Sequence, residues 1–396
     1  MSNSQASQSV FRRKEVFSLS WIPDKIFHRD EQIDALKNLL QDTHRGIKPR
    51  NCLLIGDYGT GKTLVAKVIT EKFEQEAQTT KIKTHYINCS DNDTHTQIIR
   101  GILYQVDSEK GRSGFPTDTY QLWLKEYADQ QDYVFLLLDE VDKVIFNKEG
   151  SCERLFYFLT RSLENVSLIM LTNKMGLSTY LQDNLDSRVR DTLRYQIIPF
   201  PDYGMGELSQ ILKDRCELGL NLAAWNMDVV MKISEYSHQN GLRARGLVDV
   251  TRTAGELADR SGVNFLKEDL IIRALEQVVN TQGENILEGL DPAGRVILCI
   301  VWTAHSPIDA DMIYDKWVSA ITGKGIATSR RMFCHHIKHL VDLDLLLSII
   351  RGKGRGQGLI QHLQLHPNTA EIVNRFFTTL EETPHPTITN VTVTAT

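Results

Sequence analysis

Eight residues constrain this chain more than any others: Gly56-Asp57-Tyr58-Gly59-Thr60-Gly61-Lys62-Thr63. They follow an apolar run at 52–55 and precede a helix-like segment at 64–73 that opens with Leu64. A strand that feeds a glycine-rich loop opening a helix is a phosphate-binding arrangement. Gly56, Gly59 and Gly61 let the backbone wrap with its N–H groups pointing inward, where side chains would block it. The helix N-terminus adds partial positive charge facing the phosphates. Lys62 is placed to reach β- and γ-phosphates, and the Thr63 hydroxyl to ligate Mg²⁺. Asp57, Tyr58, Thr60 and Leu64 complete the expected lining. The predicted ligand is a nucleoside triphosphate.

The rest of the first half reads as an α/β unit built around that loop. A helix with Ile33, Leu36, Leu39 and Leu40 at helical spacing precedes it. A second strand is expected at 85–89, then helices near 94–106 and 117–127, joined by a turn-rich link at 108–116. Uninterrupted apolar runs at 133–138 and 168–171 are expected as buried parallel strands, and 194–198 as a last short one. Strands alternating with helices imply an open parallel sheet with helices on both faces. The ligand of such a sheet lies at the carboxyl ends of its strands, and the polar residues that end each run fall there. Asp139 and Glu140 end one run, and Asn173 follows the next. A carboxylate at Asp139 would hold Mg²⁺, Glu140 would orient or deprotonate an attacking water, and Asn173 would position it from the other side.

Beyond Pro199-Phe200-Pro201 the pattern turns helical, and 201–283 is expected to be a small helical domain. Helices at 291–304, 310–321 and 328–343, followed by strands at 345–350 and 359–365, make a winged-helix pattern within 284–381. Residues 1–20 read as a loose polar arm and 382–396 as a disordered tail. With a net charge of −5, any nucleic-acid surface must be a local patch. The six cysteines form no CxxC pair, and Cys52 and Cys299, in apolar runs, read as reduced core residues. No apolar stretch approaches membrane-spanning length, so no membrane partner is expected.

Taken together, IPDKIFHRDEQI, GDYGTGKT, LLLDEVDKV, LIMLTNK, LDSRVRDTL, ARGLVDVTRTAGELA and the wing GKGRGQG resemble the AAA+ ATPases. Within them they resemble the archaeal origin-recognition and helicase-loader initiators, relatives of the eukaryotic origin-recognition subunits. The resemblance runs from Ile22 to about Phe377. It implies an AAA+ phosphate-loop sheet domain (21–200) with an initiator-type insertion near 91–127, a helical lid and a winged helix. By the same resemblance, Ile26, His28 and Arg29 pack around the adenine. Arg188 matches an arginine finger that reaches a neighbouring subunit, and Arg245 a second-sensor arginine on the lid. Ser187 stands where the family often has proline, and Leu242-Arg243 where it often has Gly-Asp. Arg190 therefore competes with Arg188, and Arg243 with Arg245.

On the third helix of the winged region, Phe333, Ile337, Leu340 and Val341 share one face. Arg330, Arg331, His335 and Lys338 point largely outward, a basic surface suited to a major groove. The wing adds Arg351, Lys353 and Arg355 among glycines that permit close approach to DNA. The resemblance makes Lys110 and Arg112, in the insertion, further DNA contacts. The clustered His335, His336 and His339 lack the rest of a metal site. The resemblance implies a slow, switch-like ATPase (ATP to ADP) that binds double-stranded origin DNA. It would recruit or load the replicative minichromosome-maintenance helicase, in the cytoplasm at the nucleoid, with self or paralogous subunits as further partners. The alternatives are a mobile-element or plasmid-associated AAA+ DNA-targeting protein and an ATP-binding DNA-binding regulator.

Overall fold

The structure is a computed structural model that describes residues 9–18, 20–77, 80–147, 152–322, 328–343, 345–352, 359–367 and 369–382. The chain divides into two units, residues 1–272 and 273–396.

The first unit opens with α1 (Asp30–Leu40), β1 (Asn51–Ile55), α2 (Lys62–Glu76) and β2 (Ile82–Asn88). Then follow α3 (His95–Val106), α4 (Thr117–Ala128), β3 (Tyr133–Asp139), α5 (Asp142–Phe146) and α6 (Cys152–Tyr157). β4 (Val166–Thr172), α7 (Leu177–Asn184), α8 (Ser187–Leu193) and β5 (Tyr195–Pro199) complete the sheet region. The strands pair in parallel in the order β5-β1-β4-β3-β2. The second strand begins three residues before its expected start and pairs along its length with β3, from Ile82↔Tyr133 to Asn88↔Asp139.

Because strand side chains alternate between faces, the same apolar runs feed two cores. Leu53, Leu136, Leu138, Leu168 and Met170 pack with α3, α4 and the α6–α8 region. Cys52, Leu54, Phe135, Leu137, Ile169 and Leu171 pack under α1 and α2. Burial on both faces explains why these strands read as continuous apolar runs. The registers Ile55↔Thr172 and Asn88↔Asp139 bring the polar strand ends to one edge of the sheet.

The lid is α9 (Met205–Gly219), α10 (Met227–Gln239), α11 (Ala244–Arg260) and the start of α12 (Glu268–Gly289). The expected boundary at Gly283 falls inside α12. A Cβ there would lie 2.7 Å from Ile372, so this glycine serves a close side-chain approach and does not end the helix.

Of the expected loose arm, residues 1–8 lie outside the described residues, and the described stretch 9–18 is docked rather than loose. Val10, Val16 and Phe17 are buried against the lid. The Arg12 and Arg13 N–H groups donate to Gly219 O at 2.9 and 3.0 Å, and Asn221 N–H donates to Val10 O at 2.9 Å. Gly219 is required here, since a Cβ would stand 2.4 Å from the Phe17 ring. Apolar residues interleaved among Arg, Lys and Ser dock this segment, although its composition is polar.

In the second unit α13 (Pro292–Ala304), β6 (Ile308–Asp309), α14 (Ala310–Ile321), α15 (Arg330–Asp342), β7 (Leu346–Gly352), β8 (Leu359–Leu365) and α16 (Ala370–Glu382) follow α12. The strands pair antiparallel in the order β6-β8-β7. Helix, strand, helix, helix, then hairpin is the order of a winged helix. The short β6, absent from the sequence reading, closes its sheet. The core centres on fully buried Trp317, whose Nε1–H donates to Ala293 O at 3.1 Å. Among the described residues no helix is long and apolar enough to cross a membrane.

Candidate nucleotide and DNA sites

At the carboxyl edge of the sheet lies a cavity of about 530 Å³. Its phosphate end is lined by Tyr58, Gly59, Gly61, Lys62, Thr63, Leu64, Lys67, Tyr86, Asp139, Glu140 and Asn173, with Arg245 from the lid. The loop turns through Gly59 (φ 71°) and Gly61 (φ 90°), conformations that side chains rarely adopt. Gly59 also meets the lid, because a Cβ would sit 3.1 Å from the Arg243 Cβ. The Lys62 ammonium donates to Gly56 O and Asp57 O, each at 2.8 Å. Burial pushes this ammonium below its ordinary pKa range, against the opposing charges of Asp139 and Asp57. Thr60 is buried, and its hydroxyl donates back to Asp57 O at 2.8 Å, bracing the turn.

Thr63 and Asp139 come together from α2 and β3, the hydroxyl donating to Asp139 Oδ2 at 2.7 Å. A hydroxyl and a carboxylate are hard oxygen donors, the set that Mg²⁺ takes, so these two residues fit that ion. Glu140 has a left-handed backbone, φ 53°, a costly conformation for a side-chain-bearing residue. Its N–H donates to Asp139 Oδ1 at 3.0 Å, and its carboxylate accepts a hydrogen bond from Ser90. The Tyr58 phenol is raised in pKa by burial and by the charges of Glu140 and Asp142, with a hydrogen bond to Asn173 opposing.

The rest of the lining includes Ser18, Trp21, Ile22, Pro23, Ile26, Phe27, Ile211, Asp214, Arg215 and Val248, with Tyr203, whose hydroxyl stands 2.9 Å from where a Cβ on Gly61 would lie. Of the three residues expected around the adenine, Ile26 lines the cavity and the other two do not. Arg29 is buried and ties elements together, donating to Thr60 O at 2.8 Å, His28 O at 2.7 Å and Pro201 O at 2.7 Å. Its guanidinium lies 3.6 Å from the Tyr203 ring centroid. The His28 Nδ1 is 3.7 Å from a Glu207 carboxylate oxygen. Reading by sequence missed Trp21, Tyr203 and Arg215. The Arg215 guanidinium lies 4.1 Å from the Trp21 ring centroid, and burial brings its pKa down to about 10. Spacing gives no sign of this pair.

The two arginine ambiguities separate geometrically. Arg245 lines the cavity. Arg243 instead bridges the lid to the loop, donating to Asp57 Oδ2 at 2.5 Å and Asp202 Oδ1 at 2.8 Å. Arg190 donates to Gln182 O. Arg188 leaves 84% of its side chain exposed, 3.6 Å from Asp186, and lies outside the cavity lining.

On the winged helix, Arg331, His335 and Lys338 are exposed along α15. Arg330 is not free for a ligand as expected. Its guanidinium pairs with Asp311 and lies 4.6 Å from the Tyr314 ring centroid. His336 turns inward, 3.4 Å from Asp291. The backbone of Arg351 pairs with Ile360, and its side chain, with Lys353 and Arg355, lies outside the described residues. In the insertion, Lys110 and Arg112 pair with Glu126 at 3.9 Å and Glu109 at 2.6 Å. Among the described residues no group of three or more His, Cys, Asp or Glu could hold a metal.

A 5-1-4-3-2 parallel sheet, a phosphate loop opposite an acidic strand end, and a helical lid over the cavity define a nucleotide-binding AAA+ protein. The family described as AAA ATPase domain matches residues 25–168. The ORC1-type DNA replication protein of Thermococcus kodakarensis is 32% identical over 304 residues, 74% of this chain and 72% of that one. Its counterpart in Pyrococcus abyssi is 31% identical over 304 residues, 74% and 71% of the two chains. The Aeropyrum pernix ORC1 protein, solved in complex with DNA, matches in fold with TM-score 0.73 at 24% identity, covering 95% of this chain and 100% of that one. The chain belongs to the ORC1-type DNA replication proteins.

Proposed function

We propose that this protein is an ATP-dependent replication initiator that binds double-stranded origin DNA and recruits or loads the replicative helicase. The carrying observation is that one chain holds both a lidded nucleotide cavity, with Arg245 beside the phosphate loop, and a winged helix with Arg331, His335 and Lys338 exposed on its third helix. In this reading the loop N–H groups and Lys62 bind the phosphates. Thr63 and Asp139 would hold Mg²⁺, which would supply charge neutralisation at the phosphates. Glu140, released from Ser90, orients the attacking water, and Asn173 supports it. Arg188, exposed at the start of α8 and paired with solvent-facing Asp186, extends toward a neighbouring subunit. ATP binding sets the conformation that engages DNA, and slow hydrolysis resets it. The aromatic and apolar wall of Trp21, Ile22 and Ile26 takes the base. Lys110 and Arg112 add contacts once DNA displaces their weak surface ion pairs. Further subunits, self or paralogous, and the minichromosome-maintenance helicase are its protein partners, in the cytoplasm at the nucleoid.

The test is footprinting on DNA of the source genome with ATP and ADP, using the wild type, Lys62→Ala and Glu140→Gln. Expected is nucleotide-dependent protection of repeats near a replication start. Lys62→Ala should fail to bind ATP, whereas Glu140→Gln should bind it and not turn over. Protection of a mobile-element end or of scattered promoters, or undiminished turnover in both variants, overturns the reading.

A further inference from the structure

Tyr86 belongs to none of the phosphate-site motifs, yet its phenol enters the site from β2. We propose that Tyr86 is a positioning residue for Asp139, the carboxylate offered to the metal, and this rests on reading the cavity as a Mg²⁺-nucleotide site. The Tyr86 hydroxyl donates to Asp139 Oδ2 at 3.0 Å. Thr63 donates to the same oxygen at 2.7 Å, and Glu140 N–H donates to Oδ1 at 3.0 Å. Three donors from three segments therefore set the plane of one carboxylate. Thr63 is itself a metal ligand in this reading. Tyr86 is not, so it acts on a cation only through Asp139, as hydrogen-bonded outer partners of metal ligands do.

The tyrosine is held from both ends. The Lys67 ammonium of α2 lies 3.4 Å from its ring centroid. Its carbonyl accepts from Gln105 Nε2 of α3 at 2.8 Å. β2 is the edge strand of the sheet, and that carbonyl faces away from β3, where it needs a partner from outside the ladder. Gln105 supplies it, so the insertion helix fixes the residue that orients the metal carboxylate.

The test is Tyr86→Phe, which keeps the ring under Lys67 and removes one O–H. Mn²⁺ binding to the ADP-bound chain is followed by loss of the free-ion electron paramagnetic resonance signal. Metal-free ADP affinity is read with a fluorescent analogue, and folding by thermal melt. Expected is about a tenfold weaker Mn²⁺ affinity, the loss typical when an outer partner of a metal ligand is removed, with metal-free ADP affinity and melting unchanged. An unchanged Mn²⁺ affinity overturns the proposal. So does an equal loss of metal-free ADP affinity, which would mark Tyr86 as general support. A wild type that binds neither ADP nor Mn²⁺ overturns the nucleotide-site reading itself, and this proposal falls with it.

Discussion

Truncating Phe17 should release the N-terminal segment from the lid. Phe17 is fully buried, packs edge-on to Phe11 at 5.9 Å between centroids, and lies against Gly219. A buried Phe→Ala change costs about 3 to 5 kcal/mol in lost transfer energy and cavity. The surroundings of a chain end relax more readily than a closed core, so the lower figure, about 3 kcal/mol, applies. Backbone bonds from Arg12 and Arg13 to Gly219 remain, as do the Ser9 and Val10 bonds to Asp259 at 2.7 and 2.8 Å. Those contacts set how far the segment opens but do not replace the burial. At 1.4 kcal/mol per factor of ten, the open population rises about 100-fold. Arg12, Arg13 and Lys14 are consecutive trypsin sites within the docked stretch. Cleavage there tracks the open population when reclosing is fast. Brief trypsin digestion read by mass spectrometry should therefore show cleavage after residues 12–14 accelerated about 100-fold in Phe17→Ala. Equal rates in the two proteins would refute the docking argument. The consequence reaches the cavity, because Ser18, Trp21 and Ile22, just beyond, line it.

Arg243→Ala should lower the melting point modestly, since its ion pairs to Asp57 and Asp202 are part-exposed and worth about 1 kcal/mol. Arg245→Ala should weaken ATP binding and slow single-turnover hydrolysis about 100-fold, effects that Arg243→Ala should largely spare; the reverse assignment would overturn their separation. Asp291 caps α13, accepting from Ala293 and Gly294 N–H at 3.0 and 2.9 Å. Burial opposes its ionisation, but His336 and these N–H groups outweigh that and bring the carboxyl down from 3.8 to about 2. A depressed carboxyl stabilises the fold above its unfolded pKa and loses that contribution as pH falls through the folded one. Asp291→Ala should therefore cost about 1 kcal/mol at pH 7 in urea unfolding of the full chain. The difference from wild type should narrow as pH drops from about 4 toward 2.

The sheet and the polar ends of its strands were legible in sequence because their signals are local. Each buried strand announces itself as a short apolar run, and the polar residue that ends it must lie at the strand's carboxyl edge. A phosphate loop needs closely spaced glycines and a lysine, because only adjacent backbone can cradle a phosphate. The family pattern and the order of helices and hairpin in the second unit were legible too, since each rests on short motifs or apolar spacing. Only the tertiary structure decided which long side chains line the cavity. Arg29 finds its partners 31 and 172 residues away and becomes a brace. Arg243 and Arg245, two positions apart on one helix start, point to an ion-pair bridge and to the cavity. Arg330 is drawn onto Asp311 and Tyr314, leaving Arg331 exposed. The arm reads as polar because most of its residues are, yet three buried apolar side chains suffice to dock it. Apolar periodicity and glycine chemistry act over a few bonds, so the sequence alone determines them. An arginine's role depends on which acid or aromatic ring stands within reach, and folding alone brings those together.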